Sequence, residues 1–485
     1  MWSHLMRELR RRLRRDDTQR EPQREADTTA DAAHVVLARG EAFFLAGDHD
    51  RAESVFREVL ASEPRNAVAL HALGVIAQLA GDARGAVDFF TPAIEHDPRN
   101  AAYHNNCGEA YRILGDQERA LRCYDTAIEL APGYPHPYAN RGVVLNACAR
   151  YFEAIEAYET ALALDPGAAN AHVGLAVTLL VLGDCARGWK EYEWRRALRS
   201  HSDTAPQLKA RPWMGETIPD ATVLLYAEQG YGDAMQFVRY APLVAQRCAR
   251  VLIRCHAELD ALFESLSGGK ISVVGSGAAV APYDAHASLL DLPGLFETTA
   301  SDIPAAVPYL AAPPDGIERW RRELGTRSAR LRVGIAWAGS GRHTNDRNRS
   351  CTLEHFARLA GIEDVDFYSL QKETPGGFEW PGDAVAPLVE LGSRIGDFAD
   401  TAAIIENLDL VISVDTSIVH LAGALGRPVW TLLPFAPDWR WLTQRHDTPW
   451  YPTMRLFRQP RPGDWSAVFD DVAAALEVER SRSRA

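Results

Sequence analysis

Hydrophobic and polar positions divide the chain into two parts with different periods. Up to about residue 200, apolar residues recur at helical spacing in alanine-rich stretches, which predicts a run of amphipathic helices. After residue 220 the pattern changes to short apolar runs, such as TVLLYAEQ from Thr222 and RVLIRCH from Arg250, each followed by a helical stretch. Strands that alternate with helices predict a parallel sheet.

The α/β pattern is interrupted once, by the segment AAVPYLAAPPDGIERW (305–320), and then restarts. The predicted strands after it are LRVGIAWAG, DFYSLQ, LDLVISVDT and PVWTLLP, and the predicted helices are TLEHFARLAG, DFADTAAIIEN, SIVHLAGALG and a last helix from Asp464. We interpret the proline-rich interruption as a crossing between two lobes. Two doubly wound lobes predict a ligand cleft between them, at the carboxyl ends of the strands.

The helical part repeats with a period of 34 residues. Rows that start at Ala33, Ala67, Ala101, Pro135 and Ala169 place small residues at columns eight, fifteen and twenty, an aromatic residue at column twenty-four and, in four rows, proline at column thirty-two. Small residues let two helices cross closely, the aromatic residue fills the space between hairpins, and proline stops the second helix. Most rows have Gly-Asp at columns fifteen and sixteen, which turns the chain.

These patterns give a complete division of the chain. We predict a basic tail (1–30), five repeats (31–202), a linker (203–220), a first α/β lobe (221–312), a crossing segment (313–330) and a second α/β lobe (331–478).

Composition and charge exclude several classes of protein. The net charge of -13 argues against general nucleic-acid binding, which needs a basic face. The seven cysteines are scattered without a C-x-x-C pair, which favours reduced thiols in a cytoplasm over disulfides or a zinc site. No apolar run is long enough to span a membrane.

The basic N-terminus, MWSHLMRELRRRLRR, has no apolar signal core, so we do not expect export. It could form an amphipathic helix that touches a membrane surface or a partner. We favour a solvated tail, because chain termini are usually poorly ordered.

One short stretch, YAEQGYGDAMQFVRY, places a glycine pair at the end of a predicted strand. Gly230 and Gly232 precede Asp233, which opens a helical pattern. We interpret the turn as a place where the backbone approaches a ligand closely, which glycine permits. The alternative for Asp233 is a helix cap.

The five rows in register resemble the tetratricopeptide repeat. The resemblance implies a right-handed superhelix with a concave groove, and the fifth row, RGWKEYEWRRAL, looks like a cap that docks on the next part of the chain. Groove positions include Asn105, Asn106, Asn140 and Asn146. Their amides can hydrogen-bond an extended protein acceptor, or they are solvated helix residues.

The second part resembles the heptosyltransferase-like glycosyltransferases, which have the GT-B fold. The similar stretches are DLVISVDTSIVHLAGALGRPVWTLLP (409–434), LLYAEQGYGDAMQFVRYAPLV and GIAWAGSGRHTNDRNRSCTLEHFARL, and together they cover most of 221–478. Joined to the repeats, this part also resembles bacterial flagellin-type protein glycosyltransferases. In architecture only, it resembles the O-linked N-acetylglucosamine transferases.

The resemblance implies roles for individual residues. Asp233 falls on the family's catalytic base, and Arg349, Asp415, Thr416, Ser417 and His420 fall on positions of its donor site. We also expect the nucleotide-sugar donor to contact Gly230, Gly232, Ser340, Ser350 and Gln371, of which Gln371 ends the predicted strand DFYSLQ and so faces the cleft. Ser417 stands where the family usually has glycine, and Arg349 where it usually has lysine, which leaves the identity of the donor open.

Several of these residues have a second interpretation. His420 lies on an apolar helix face and is equally a core histidine, and Arg349 is one of several charges in its loop. In PDWRWL (437–442), Trp439 and Arg440 either pack the last strand or line the cleft, and we favour packing.

The sequence therefore predicts a metal-independent, cytoplasmic glycosyltransferase with no cofactor other than its nucleotide-sugar co-substrate. Its acceptor is expected to be a flagellin-like protein held by the repeats, because a small saccharide needs no superhelix. The alternatives are a transferase for lipopolysaccharide-type saccharides and a repeat scaffold without catalysis.

Overall fold

The computed structural model describes residues 27–198, 208, 210–341, 345–372, 380–381 and 384–483. Most of the predicted basic tail and part of the predicted linker lie outside the described residues, so the predictions for them stay predictions. The chain divides after Leu175 into two compact units, which we describe separately.

The first unit consists of helical hairpins. Its helices are α1 (Asp27–Leu45), α2 (His49–Ser62), α3 (Ala67–Leu79), α4 (Ala83–His96), α5 (Ala101–Leu114), α6 (Gln117–Leu130), α7 (Pro135–Ala147), α8 (Tyr151–Leu164) and the start of α9 (Ala169–Val181). The division between the units falls inside α9.

Each hairpin closes on a glycine from column eight. A Cβ added to Gly40, Gly74, Gly108 or Gly142 would meet the ring of Phe56, Phe90, Tyr124 or Tyr158 at 2.8, 2.5, 2.7 and 2.7 Å. The aromatic residue of column twenty-four therefore packs first within its own hairpin, and Tyr158 also reaches Gly174 of the next one. The 34-residue period is confirmed as a packing unit.

The turns inside the hairpins explain the Gly-Asp pairs. Gly47, Gly81 and Gly115 have φ of 79°, 85° and 82°, in the left-handed region that glycine adopts without strain. The aspartate that follows, as at Asp48, accepts a hydrogen bond from the backbone of the next helix. The fourth row has Ala149 at this position, with a φ of 57°.

The second unit begins with the end of α9, α10 (Cys185–Tyr192) and a 3-10 helix (Glu193–Ala197). A five-stranded sheet follows, with β1 (Arg211–Pro212), β2 (Ile218–Tyr226), β3 (Cys248–Arg254), β4 (Ile271–Val274) and β5 (Ala285–Ser288) in the order β1-β5-β2-β3-β4. Its helices are α11 (Tyr231–Phe237), α12 (Ala241–Ala245), α13 (Asp260–Phe263) and α14 (Leu292–Leu295), and α15 (Pro314–Glu323) leads to the next sheet.

The second sheet has β6 (Leu331–Ala336), β7 (Val365–Ser369), β8 (Leu388–Glu390), β9 (Leu410–Val414), β10 (Val429–Leu433) and β11 (Met454–Arg458) in the order β11-β10-β9-β6-β7-β8. Its helices are α16 (Asp346–Arg349), α17 (Leu353–Phe356), α18 (Phe398–Ile405), α19 (Ser417–Ala424) and α20 (Trp465–Ser483). The buried cluster between this sheet and α20 contains Val333, Ile412, Leu432, Phe469 and Leu476.

All strand pairs in both sheets are parallel, as the alternating pattern predicts, and the two lobes have the layout of a GT-B fold. The strand order reverses beside β2 in the first sheet and between β6 and β9 in the second. Such switch points open a crevice at the carboxyl ends of the strands. The sequence did not predict β1, β5, β8 or β11, which are edge strands or short runs.

Candidate functional site

The glycine turn of the first lobe follows β2. Gly230 caps α11, and its N–H donates to Asp233 Oδ2 at 2.9 Å. Gly230 has a φ of -68°, which any residue adopts, so backbone freedom does not explain this glycine. The capping role that the sequence left as an alternative for Asp233 is therefore present in the structure.

The corresponding turn of the second lobe follows β9. Thr416 caps α19, and its hydroxyl accepts a hydrogen bond from the Ile418 N–H at 3.3 Å. The Ser413 hydroxyl lies 3.2 Å from the same Thr416 hydroxyl, and this contact helps to hold the Thr416 side chain in its capping orientation. Ser417, half-buried, is the first residue of the helix, so the amides of this helix start point out of the strand edge.

The two turns meet. A Cβ on Gly232 would lie 2.7 Å from His420 Cδ2 and 3.5 Å from Ser417 Cα. The sequence attributed this glycine to close approach of a ligand, and the structure gives it a different close neighbour, the helix α19 of the other lobe. Contact of Gly232 with a donor stays a prediction.

His420 is buried, and one of its ring nitrogens is hydrogen-bonded. Its Nδ1 lies 3.0 Å from the Tyr451 hydroxyl, and its ring stacks on Trp441 with centroids 5.3 Å apart. Burial lowers the pKa of His420 well below its usual value, and the nearby guanidinium groups of Arg440, Arg239 and Arg349 lower it further. The ring is therefore neutral, in agreement with the core interpretation that the sequence left open.

Arg440 joins the two lobes at the site. This buried side chain pairs with Asp233 of the first lobe, and it also donates to Gln236 Oε1 at 2.6 Å and to Asp438 Oδ1 at 2.8 Å. Its guanidinium lies 4.3 Å from the centroid of the Trp439 ring. The sequence interpretation of PDWRWL as packing is therefore incomplete, because Arg440 also provides the charge that holds Asp233.

A second buried arginine, Arg239, ties the lobes together through neutral groups. It donates to the Trp450 carbonyl at 2.6 Å and to the Tyr309 hydroxyl at 2.9 Å, and it lies over the Tyr451 ring at 4.6 Å. The signal for it was present in the sequence, since arginine on an otherwise apolar helical stretch must find buried acceptors.

Asp415 carries a strongly perturbed carboxyl group at the end of β9. Burial raises its pKa to about 6, and the neighbouring carboxylate of Asp438 acts in the same direction. Trp441, Arg349 and Arg440 oppose the shift without cancelling it. Such a group titrates close to neutral pH, which is typical of functional sites.

The loop after β6 brings Arg349 to the same edge. The Arg349 guanidinium donates to the Asp415 carbonyl at 3.2 Å and pairs with Asp346 at 3.3 Å, and its side chain keeps 16% of its surface exposed. It therefore lies beside the phosphate-binding turn predicted from the sequence, with part of its surface open to a ligand.

The other predicted donor residues of this lobe shape that loop. Ser350 Oγ donates to Asp346 Oδ1 at 2.9 Å and accepts from the Gly339 N–H at 3.0 Å. Gln371 Oε1 accepts the N–H groups of Trp337 and Ala338 at 3.2 and 3.1 Å. Ser340 is exposed in the same loop. Their direct contact with a donor stays a prediction.

Three of the four asparagines predicted for the groove are bonded to one another in the first unit. Asn140 Nδ2 donates to Asn105 Oδ1 at 3.0 Å, Asn105 Nδ2 donates to Asn106 Oδ1 at 3.0 Å, and Asn106 Nδ2 lies 2.9 Å from His71 Nε2. Burial lowers the pKa of His71 to about 3, so its neutral ring accepts the last bond.

This chain of amides crosses three successive hairpins. Asn105 is fully buried within it, whereas Asn140 and Asn146 are half-buried and reach the surface. Binding of a protein acceptor by these asparagines stays a prediction, and the two at the surface are its better candidates.

Family models match both parts of the chain. Residues 43–105, 108–147 and 149–188 match models described as tetratricopeptide or TPR repeat. Residues 389–444 match the model of glycosyltransferase family 9 (heptosyltransferase). This last segment contains the Asp415 turn, His420 and Arg440. Both resemblances read from the sequence are therefore confirmed, and the match supports a glycosyltransferase.

One curated relative is similar over more than half of the chain. Protein FlbA of Caulobacter vibrioides is 24% identical over 329 residues, which are 62% of this chain and 54% of FlbA. The chain thus spans about half the length of the relative that it matches.

Solved structures are similar over a smaller share. PilF of Pseudomonas aeruginosa is 22% identical with a TM-score of 0.33, covering 37% of this chain and 79% of that one. TTC0263, a TPR protein of Thermus thermophilus, is 22% identical with a TM-score of 0.31, covering 34% and 91%. At these TM-scores the solved structures support no inference about the function of this chain.

Membrane spans and metal clusters are both absent from the described residues. In the described part of the chain, no helix combines the length and apolarity that a bilayer crossing requires. Within the same residues, no three His, Cys, Asp or Glu side chains are grouped as metal ligands. All seven cysteines are free thiols.

Proposed function

We propose that the chain is a metal-independent glycosyltransferase that moves a sugar from a nucleotide-sugar donor to a hydroxyl group of a flagellin-like protein. The observation that carries this proposal is the meeting of two strand-end turns, where Gly232 packs against His420 and Asp233 pairs with Arg440. We assign the base and the donor site to the residues around this contact.

Donor binding is assigned to the second lobe. The Ser417 N–H at the start of α19 is suited to an anionic diphosphate, because a helix N-terminus carries partial positive charge. Arg349 lies beside this helix start and can add charge-assisted hydrogen bonds. Together they stabilise the departing diphosphate, which accounts for catalysis without a metal ion.

Asp233 is assigned to the acceptor hydroxyl. The oxygen of that hydroxyl bonds to the anomeric carbon of the sugar while the bond from this carbon to the diphosphate oxygen breaks. Asp233 takes the proton of the hydroxyl, and the diphosphate leaves with the electron pair. Both carboxylate oxygens already accept a hydrogen bond, but a carboxylate offers about four lone-pair sites, so acceptance of a proton remains open.

The protein acceptor is assigned to the repeats, with Asn140 at the accessible end of the amide chain and Asn146 also half-buried at the surface. A cytoplasmic location belongs to the same proposal, because nucleotide sugars are cytoplasmic donors. Tetratricopeptide arrays present extended concave surfaces, which suit a polypeptide better than a small saccharide.

The test is a thermal-shift panel of nucleoside diphosphates and their sugars, followed by intact-mass measurement of a flagellin-type protein incubated with each stabilising donor. A ligand at 100 times its Kd stabilises the fold by about 2.7 kcal/mol, which a thermal shift detects. A mass increase of one sugar unit supports the proposal. Transfer to a free saccharide but never to protein would instead support a transferase for saccharides. If no nucleotide binds, the alternative of a repeat scaffold without catalysis is supported.

A further inference from the structure

Arg195 belongs to the last row of the repeat period, but its side chain is buried in the α/β unit. Its Nε and Nη2 donate to Glu228 Oε1 at 2.9 and 2.6 Å, and Nη2 also pairs with Asp291. The side chains of Arg195, Glu228 and Asp291 are 4%, 1% and 7% exposed. One guanidinium group therefore contacts two buried carboxylates.

These two carboxylates lie at the ends of neighbouring strands. Glu228 follows β2 and Asp291 follows β5, and β2 pairs with β5 in the sheet. Burial alone would raise the pKa of Asp291, and the charges of Arg195 and Arg196 instead lower it. Asp291 is therefore ionised, and its pairing with Arg195 holds the edge of the first lobe at its switch point.

Glu228 stands two residues before Gly230, which connects Arg195 to the candidate base. The Gly230 N–H donates to Asp233 Oδ2 at 2.9 Å, so the position of this N–H sets the orientation of the carboxylate. A loop of 227–230 held by Arg195 presents that N–H at a fixed place.

The segment that carries Arg195, residues 185–197, also acts on Asp233 through Trp439 of the second lobe. Rings of Trp189 and Tyr192 lie 5.2 and 6.2 Å from the Trp439 ring, centroid to centroid. Trp439 in turn lies under the guanidinium of Arg440, which pairs with Asp233. Residues 185–197 therefore brace both groups that hold the Asp233 carboxylate.

We propose that residues 185–197 form part of the transferase site and that Arg195 is a positioning residue for Asp233. This inference rests on the proposed function, because it assigns to Arg195 the orientation of the proposed base. A repeat-derived helix thereby completes the catalytic unit, and loss of Arg195 impairs the chemical step more than donor binding.

The variant must avoid leaving a buried charge unpaired, since that alone can unfold a protein. Arg195→Gln/Glu228→Gln removes both charges of one pair, while Asp291 keeps Arg196 at 2.6 Å. The matched control is Arg321→Gln/Glu318→Gln, which likewise removes both charges of one pair, at side chains that are 59% and 52% exposed. Arg195→Lys is a second variant, which keeps the charge but not the planar fork.

Two measurements on the full chain decide the inference. Hydrogen exchange of peptides covering 227–237 is expected to accelerate in the double variant and not in the control, with 410–425 unchanged, because only the braced loop is released. In the transfer assay kcat is expected to fall by about 10- to 100-fold, while KM for the donor and the affinity for nucleoside diphosphate stay within about 3-fold. Arg195→Lys is expected to show a smaller fall in kcat than the double variant.

Unchanged exchange in 227–237, or a loss of nucleotide affinity equal to the loss in kcat, would overturn the positioning role. If the double variant does not fold, Arg195→Lys decides the question by the same two measurements. Absence of transfer by the wild type would defeat the proposed function, whereas the exchange data would still decide whether Arg195 holds the turn.

Discussion

Gly232 of the first lobe lies directly against His420 of the second. A Cβ at position 232 would come within 2.7 Å of His420 Cδ2, and real Cβ atoms do not approach other atoms that closely. His420 has no room to move away, because its ring stacks on Trp441 and bonds to Tyr451. The two turns that carry the candidate site can therefore pack this closely only because residue 232 has no side chain.

Gly232→Ala is therefore expected to separate the turns. Overpacking of a tight contact costs about 1–3 kcal/mol, and here the strain falls on the site itself. Denaturant unfolding followed by tryptophan fluorescence measures it, because every tryptophan except Trp2 lies in the second unit. The control is Gly230→Ala, where a Cβ would lie 3.2 Å from Asp233 Oδ2 and the backbone is unstrained. Equal effects of the two variants would contradict the contact.

Arg349→Ala is expected to weaken the binding of a nucleoside diphosphate about 30-fold, equivalent to about 2 kcal/mol, because a partly buried partner of the diphosphate is lost. Isothermal titration with the best nucleotide of the panel measures the change. Arg358→Ala is the control, since it removes the same charge from a surface pair with Asp470. If wild type and Arg349→Ala bind the nucleoside diphosphate with equal affinity, Arg349 does not contact the diphosphate and serves only to bond Asp346 and Asp415.

Asp233→Asn is expected to bind the donor normally and to transfer sugar at least about 100-fold more slowly, because an amide cannot take the proton of the acceptor. Mass spectrometry of the acceptor and a separate nucleotide titration follow the two steps. Asp438→Asn is the control, since it removes the other carboxylate of Arg440 without touching the proposed base. Normal transfer by Asp233→Asn would leave Asp233 as a helix cap and place the base elsewhere.

Asp415 is expected to make the stability of the second unit depend on pH. Its pKa is about 6 in the fold against an ordinary value of 3.8, so the folded state binds the proton more tightly than the unfolded chain. The stabilisation from protonation is complete below pH 3.8 and is lost as the pH rises through 6. A difference of about 2 units corresponds to about 3 kcal/mol.

Asp415→Asn stays neutral at every pH, so its free energy of unfolding relative to wild type should rise between pH 4.5 and 7.5. Tryptophan fluorescence in denaturant again follows the second unit. In an Asp438→Asn background the pKa of Asp415 should fall, because a neighbouring negative charge is removed, and the window should move to lower pH. A difference that does not vary with pH would show that Asp415 stays ionised.

Local patterns were sufficient to predict the repeats and most strands of both sheets. The 34-residue columns reflect direct contacts such as that between Gly74 and Phe90. The residues that pack one hairpin therefore lie within a single repeat of the sequence. The Asp415 turn was equally visible, because a buried strand, a capping threonine and an apolar helix follow one another without a gap. Short strands such as β1 and β5 have only two and four residues, which is too little pattern to predict them.

Contacts between distant residues were beyond the sequence pattern. Arg440 pairs with Asp233 across 207 positions, and nothing local in PDWRWL indicates which acid it meets. The same holds for Arg195, which the repeat period assigned to a cap although its partners are Glu228 and Asp291. Buried charges require partners, but only the fold determines which ones.

Deletion of the repeats should separate acceptor recognition from donor binding, and the point of deletion should matter. A chain that starts at Ala176 keeps the second unit whole, including Arg195 and Trp189. It is expected to bind the nucleotide as the full chain does and to lose transfer to the protein acceptor, because the concave array is gone. A chain that starts after residue 200 also lacks the brace of the Asp233 turn, so a carboxylate pair at Glu228 and Asp291 is left without its arginines.

The shorter chain should therefore be less stable, with a lower midpoint in a thermal melt followed by tryptophan fluorescence. Circular dichroism establishes that each deletion product is folded before nucleotide titration. Retained transfer to the protein acceptor by the chain that starts at Ala176 would place acceptor recognition in the α/β unit. Equal thermal midpoints of the two products would show that residues 185–197 do not brace the α/β unit.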